Sequence, residues 1–170
     1  STATMNFDWS KIIMGNNPLS SASEITQFEN QIGYTLPDDY RVFMFDFNGG
    51  KVGIDHSIDF ELGGDVLHGG VDAMYPLIKQ PKWSVAILET RKIQEIERMD
   101  TRSLLRIGDD GGTGFYYLSL SGGGIYFCYK DDIECGRSDW ENADAGDLEY
   151  MVKMSDSFSG FGWKIWNGKR

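Results

Sequence analysis

Between Ser21 and Gly50 the chain spells two short amphipathic runs, each closed by residues that stop a helix, and this punctuation constrains the fold most. Ser21 and Glu24 stand three apart as a capping box, and Ile25, Phe28 and Ile32 follow at helical spacing. Gly33 falls where a left-handed residue ends a helix. The next segment, "YTLPDDY", re-enters a helix: Pro37 suits a first turn, and Asp38 and Asp39 favour the positive end of the helix dipole. Tyr40, Phe43, Met44 and Phe47 then recur at i, i+3, i+4 and i+7, one continuous apolar face. Asn48-Gly49-Gly50 ends it sharply. Both helices are therefore committed to one core. Phe28 to Gly53 holds no histidine, no cysteine and no evident nucleophile, so the stretch reads as a docking scaffold rather than an active site.

After Gly50 the period changes. "KVGI", "SIDFEL" and "DVLHGG" are short, partly alternating and separated by glycine or aspartate, as in a small antiparallel sheet. Residues 75–88, with two prolines, read as an irregular crossing. A third helix is expected from Thr90 to Met99, with Ile93 and Ile96 buried and its basic residues outside. "LLRIG", "FYYLSL" and "IYFCYK" are strands, joined by the turn chemistry of "DDGGTG" and "SGGG". A last helix is expected from Gly146 to Phe158, with Leu148, Met151, Val152 and Ser155 on one side, and "GFGWKIW" packs back onto the body. With helices toward the ends and strands between, the expectation is an α+β single domain over residues 1–170.

Length and composition agree with one globular domain: 170 residues, 41% hydrophobic and 25% charged. No apolar run approaches the roughly 18 residues that span a bilayer, and nothing before Asn6 reads as a signal peptide. Cys128 and Cys135 make no disulfide framework, and Cys128 within "IYFCY" reads as a small buried hydrophobe. A cytoplasmic protein is expected. The net charge of −10, with pI near 4.6, repels phosphate backbones and anionic lipid, so direct binding of nucleic acid or membrane is disfavoured. It attracts a basic protein and speeds the encounter. The acids are segregated. Residues 38–72 carry eight against Arg41 and Lys51, and residues 130–149 carry eight more against Lys130 and Arg137. Acidic loops that only keep the chain soluble would look the same.

Motifs for chemistry are weak. "GDDGGTG" (108–114) could cradle phosphate, but it lacks the Gly-Lys-Ser/Thr ending of a P-loop and sets two aspartates where phosphate would sit. It also lacks the carboxylate spacing of a calcium loop, so a hairpin turn is the simpler reading. His56 and His68 lie twelve apart near Asp55, Asp59 and Asp65, without the closer pairs or cysteines usual at zinc. No Gly-x-Ser-x-Gly elbow occurs. Carboxylates are too plentiful to mark a glycosidase, and most tryptophans fill cores. No enzyme activity, cofactor or metal is expected.

Two stretches carry a resemblance. "EITQFENQIGYTLPDDYRVFMFDFNGG" (24–50) resembles the opening motif of the SMI1/KNR4 family of the SUKH superfamily, and "LLRIGDDGGTGFYYLSL" (104–120) resembles its second signature. A following "IYFCYKDD" strand and a late helix keep the same order, so the likeness spans residues 20–158. The glycine-rich middle, residues 51–76, departs from the pattern. The resemblance implies a curved antiparallel sheet flanked by helices. It also implies an immunity protein that binds and neutralises a toxin, often a nuclease, or else a regulatory protein-binding scaffold like the fungal relatives in cell-wall signalling. An acidic chain suits a basic nuclease. The expected partner surface is the second acidic segment with the hairpin aspartates: Asp109, Asp110, Asp131, Asp132 and Glu134, with Trp140 as aromatic anchor. The loops of 55–72 are the competing surface. The oligomeric state and the toxin's identity are not legible.

Overall fold

A computed structural model describes residues 6–15, 17–52, 56–78, 85–96, 103–135 and 151–168. Among them, seven strands form one antiparallel sheet in the order β1-β2-β5-β6-β7-β8-β9. They are β1 (Ile13–Met14), β2 (Gly50–Val52), β5 (Ala73–Met74), β6 (Leu104–Asp109), β7 (Gly114–Ser119), β8 (Ile125–Tyr129) and β9 (Val152–Ser155). A separate hairpin pairs β3 (Ser57–Leu62) with β4 (Asp65–Gly70). The helices are α1 (Ala22–Ile32), α2 (Asp38–Asp46), α3 (Ile87–Ile96), α4 (Lys130–Cys135) and α5 (Phe158–Asn167). The α+β architecture expected from the sequence is the one found.

The opening helices form for the reasons their sequence gives. Ser21 and Glu24 complete a reciprocal capping box, and Gly33 closes α1 in the left-handed region at φ 75°. The turn between the helices is organised by Glu29, which is buried at the end of α1. Its carboxylate accepts from Leu36 N at 2.7 Å and from Arg41 Nε at 3.1 Å, so "IGYTLP" wraps around one charge. Asn48 closes α2 at φ 53° and reaches two other segments: its Nδ2 donates to Pro18 O at 2.8 Å and its Oδ1 accepts from Leu77 N at 2.9 Å. At Gly49, φ 78°, a Cβ would lie 2.5 Å from Met74 O, so only glycine lets the helix end pass so close to β5.

Both faces of the central strands are covered, which is why "FYYLSL" and "IYFCY" read as nearly continuous apolar runs. Tyr116, Leu118, Ile125 and Phe127 face the larger core with α1, α2, α5 and the β3–β4 hairpin, while Tyr117, Cys128 and Leu104 face a smaller cluster closed by Ile133 of α4 and Met151. The larger core centres on rings. Trp9 stacks on Phe158 with centroids 4.4 Å apart and tilts against Phe43 at 4.9 Å.

Four expectations are corrected. The last helix does not run from Gly146 to Phe158: residues 152–155 are β9, paired with β8, and α5 begins at Phe158 with Ser157 as its cap. Residues 146–150 lie outside the described residues. The glycines of "FSGFGW" argue against a helix, yet Gly162 is needed because a Cβ there would lie 2.3 Å from the Phe7 ring. The third helix starts three residues earlier than expected, at Ile87, and Ile93 is 38% exposed rather than buried. Thr90 and Gln94 face inward instead, because β5 stops at Met74 and leaves the β6 edge unpaired. Gln94 binds Arg106 N and Leu104 O, each at 3.2 Å, while Thr90 Oγ1 lies 2.7 Å from Ile87 O and 3.2 Å from Arg106 O. The helix thus completes a ladder that a strand would have filled. The sides of Ile96 and residues 97–99 lie outside the described residues. "KVGI" does not share a sheet with the hairpin, since β2 joins the main one. Finally, the strand expected over "IYFCYK" ends at Tyr129, and Lys130 opens α4, where Asp131 and Asp132 occupy the first turn.

Phe43 is fully enclosed among Trp9, Tyr40, Phe47 and Phe158, whereas Asp46 is exposed. Phe43→Ala is expected to cost about 3–5 kcal/mol in urea unfolding, with Asp46→Ala nearly silent. Equal midpoints for Phe43→Ala and the unsubstituted chain would contradict this packing.

Candidate functional site

The hairpin between β6 and β7 is built by its own two aspartates. Asp110 folds the turn around one carboxylate: Oδ1 accepts from Gly112 N at 3.2 Å, Thr113 N at 2.8 Å and Gly114 N at 2.9 Å, while the Thr113 hydroxyl donates to Oδ2. Asp109 takes Gly111 N at 2.9 Å on one oxygen and the Tyr75 hydroxyl at 2.7 Å on the other. The glycines are steric requirements. At Gly108 a Cβ would lie 2.4 Å from Ala73 O, and at Gly114 it would lie 2.3 Å from the Phe127 ring. The N–H groups that a phosphate would need are therefore already used by Asp110, and the loop is the hairpin turn its sequence suggests.

Antiparallel pairing brings α4 to this same end of the sheet. Gly114 pairs with Tyr129, and Lys130 N donates to Thr113 O at 3.0 Å. Gly112, Thr113, Tyr129, Lys130, Asp131 and Asp132 line one open depression. Asp131 is exposed and Asp132 half-buried, both in the first turn of α4. The structure thus gathers Asp109, Asp110, Asp131 and Asp132 on one rim. Glu134 follows in α4, where nothing is described of its side chain, and Trp140 lies outside the described residues.

The two acidic surfaces that compete in the sequence meet at one residue. Asp72 N donates to Asp109 O at 3.0 Å, and the Asp72 carboxylate lies 3.3 Å from Lys51 Nζ, so the first acidic segment ends on the rim of the second. Its other acids stand on the β3–β4 hairpin, where Asp59 bonds His68 across the strands. The hairpin base leans on the same end, with the Tyr116 hydroxyl donating to Gly70 O at 2.7 Å. His56 lies near the Trp166 ring, centroids 6.1 Å apart. Among the described residues no three His, Cys, Asp or Glu side chains group to hold a metal. Asp72 was read with the competing loops of 55–72 rather than with this rim, and α4 was missed; paired acids at the head of a helix were the available signal for α4.

Partial burial works against the Asp110 charge, but the Thr113 hydroxyl and the three backbone N–H groups outweigh it and hold the carboxyl below its usual range. A carboxyl depressed in the folded state stabilises above its unfolded value of about 3.9, and that contribution is lost as pH falls through the lower folded value. Asp110→Asn is therefore expected to lower the thermal midpoint at pH 7, with the gap from the unsubstituted chain narrowing below about pH 4. A gap that is unchanged in acid would show that the charge contributes nothing to the turn.

The residues that fix this geometry, Asn48 to Gly50 and Gly108 to Gly114, lie inside one matched region. The model of the SMI1 / KNR4 family (SUKH-1) matches residues 20–161. No curated protein matches the chain. No helix among the described residues is long and apolar enough to cross a membrane. With its two signature stretches forming the helix–strand crossover and the central hairpin of the sheet, the chain belongs to the SMI1/KNR4 family (SUKH-1).

Proposed function

We propose that the protein is a non-catalytic immunity protein, acting in the cytoplasm, that neutralises a cognate toxin by stoichiometric binding, and that the toxin is a basic nuclease domain. Membership in the family supports an immunity-type role at the level of the family. The observation that carries the finer reading is the rim itself. Asp131 and Asp132 stand beside the Asp109–Thr113 hairpin on a chain of net charge −10, with Asp72 continuing the same acidic edge. Such a rim accelerates the approach of a basic protein and opposes nucleic acid and anionic membranes. Asp109 and Asp110 contribute field while holding the turn; Asp131, Asp132 and Glu134 are the proposed partner carboxylates, with Trp140 as the aromatic anchor.

The experiment tests the C-terminal domain of a large secreted protein, where the adjacent gene encodes one, as the toxin. Association is measured against ionic strength for the unsubstituted chain and for the triple variant Asp131→Lys, Asp132→Lys, Glu134→Lys. At low salt the variant should associate about tenfold or more slowly, with a flatter salt dependence and an unchanged unfolding midpoint. Unchanged rates would remove this rim and direct attention to Asp59, Glu61 and Asp65 of the β3–β4 hairpin. Absence of any complex with that toxin would favour a regulatory protein-binding scaffold.

A further inference from the structure

Helix α2 turns Tyr40, Phe43 and Met44 into the core, and an amphipathic surface helix should present polar residues on the opposite side. It does not. Val42 and Phe45, three residues apart and so on one face, are 56% and 49% exposed, and Leu19 on the approach to α1 is 62% exposed. Three shallow depressions join beneath them. Val42 borders both the one floored by Trp9, Phe43 and Phe47 and the one it forms with Ile25 and Phe45. Asp46 and Phe47 border the first and the one that reaches Leu19. The three adjoin through these shared residues, and together they make a groove along α2 whose apolar positions include Leu19, Ile25, Val42, Phe45 and Phe47.

Its margin is acidic. Asp8, Asp39 and Asp46 line it; among the described lining residues Arg41 is the one cation, and its guanidinium is engaged by Glu29 at 3.1 Å. Asp39 has a second duty, accepting from Ser159 N at 2.8 Å, whereas Asp46 is exposed. We propose that this groove is a docking surface for a protein segment whose apolar side chains are flanked by Lys or Arg. An apolar floor of this kind on a folded domain marks an interaction site, and the carboxylates around it select the sign of the partner. A second copy of this chain would set Asp8 and Asp46 against the same acids, with −10 of net charge on each side, so self-pairing is opposed. A neutral apolar segment would fill the floor and leave the margin unmatched. The surface shares no residue with the Asp109–Asp132 rim and does not rest on the toxin reading.

The test uses a helical peptide of leucine and lysine arranged with one apolar face, titrated calorimetrically into the intact protein. A peptide of identical composition with the leucines scattered, and a leucine–glutamate helix, serve as controls. The ordered basic peptide should bind at least about tenfold more tightly than the scattered one, and the acidic helix should not bind. Val42→Ser with Phe45→Ser should weaken binding about tenfold while the unfolding midpoint stays in place, because both side chains are half exposed. Asp131→Lys with Asp132→Lys should leave it unchanged. Equal affinity for the Val42/Phe45 variant, equal binding of the scattered peptide, or loss on the rim variant instead would each overturn the proposal. So would a dimer in sedimentation that Phe45→Ser abolishes, since that would make the occupant a second copy.

Discussion

The fold depends on how α2 stops. A helix that must end and become a strand within three residues leaves carbonyls to satisfy and a sharp change of direction to make. Asn48 does both. It adopts the left-handed conformation that asparagine tolerates, its amide joins the strap before α1 to the segment after β5, and Asn17 Nδ2 donates to its carbonyl at 2.9 Å. Gly49 and Gly50 then let the chain pass where any Cβ would strike β5 or Ile13. Everything that follows inherits this crossover. It sets β2 against β5, which sets the register of β5 on β6, which positions the acidic hairpin.

A second constraint holds the far end of the chain to the near end. Helix α5 presents Phe158 and Phe161 to Trp9, and Gly162 brings it close enough for the Phe7 ring to lie against its backbone. Asp39 of α2 completes the join by accepting from Ser159 N in the first turn of α5, beside Ser157, which accepts from Gly160 N at 2.9 Å. An acid read from the sequence as favouring its own helix thus also serves another. The groove proposed on α2 borders this junction, with Phe7, Trp9 and Ser159 among its lining residues.

The sequence made residues 21–50 and the three central strands legible because each carried its own local signal: caps, period and turn residues. What it hid was non-local. Gly160 and Gly162 are poor helix formers chosen for close packing, so α5 did not look like a helix. Thr90 and Gln94 looked like a polar face, yet they are buried because β5 is short and the β6 edge needs partners. The hairpin aspartates were visible as acids, but that Asp110 is spent on three backbone N–H groups depends on a turn geometry that spacing alone does not reveal. Nor could spacing show that Asp72 meets the same rim, because that neighbour relation comes from strand order.

A division of labour follows. Asn48-Gly49-Gly50 and the glycines and aspartates of 108–114, all inside the region that matches the family, are occupied in building the sheet and its crossover. The surfaces we propose for recognition lie beside them, on α4 and on the outer side of α2. The most direct test of this claim is the stability of Asn48→Ala, read by urea unfolding. Losing two side-chain bonds to buried backbone and placing alanine at positive φ should cost about 2–4 kcal/mol. An unfolding midpoint equal to that of the unsubstituted chain would contradict the account, because it would free Asn48 from the fold and return the signature to function.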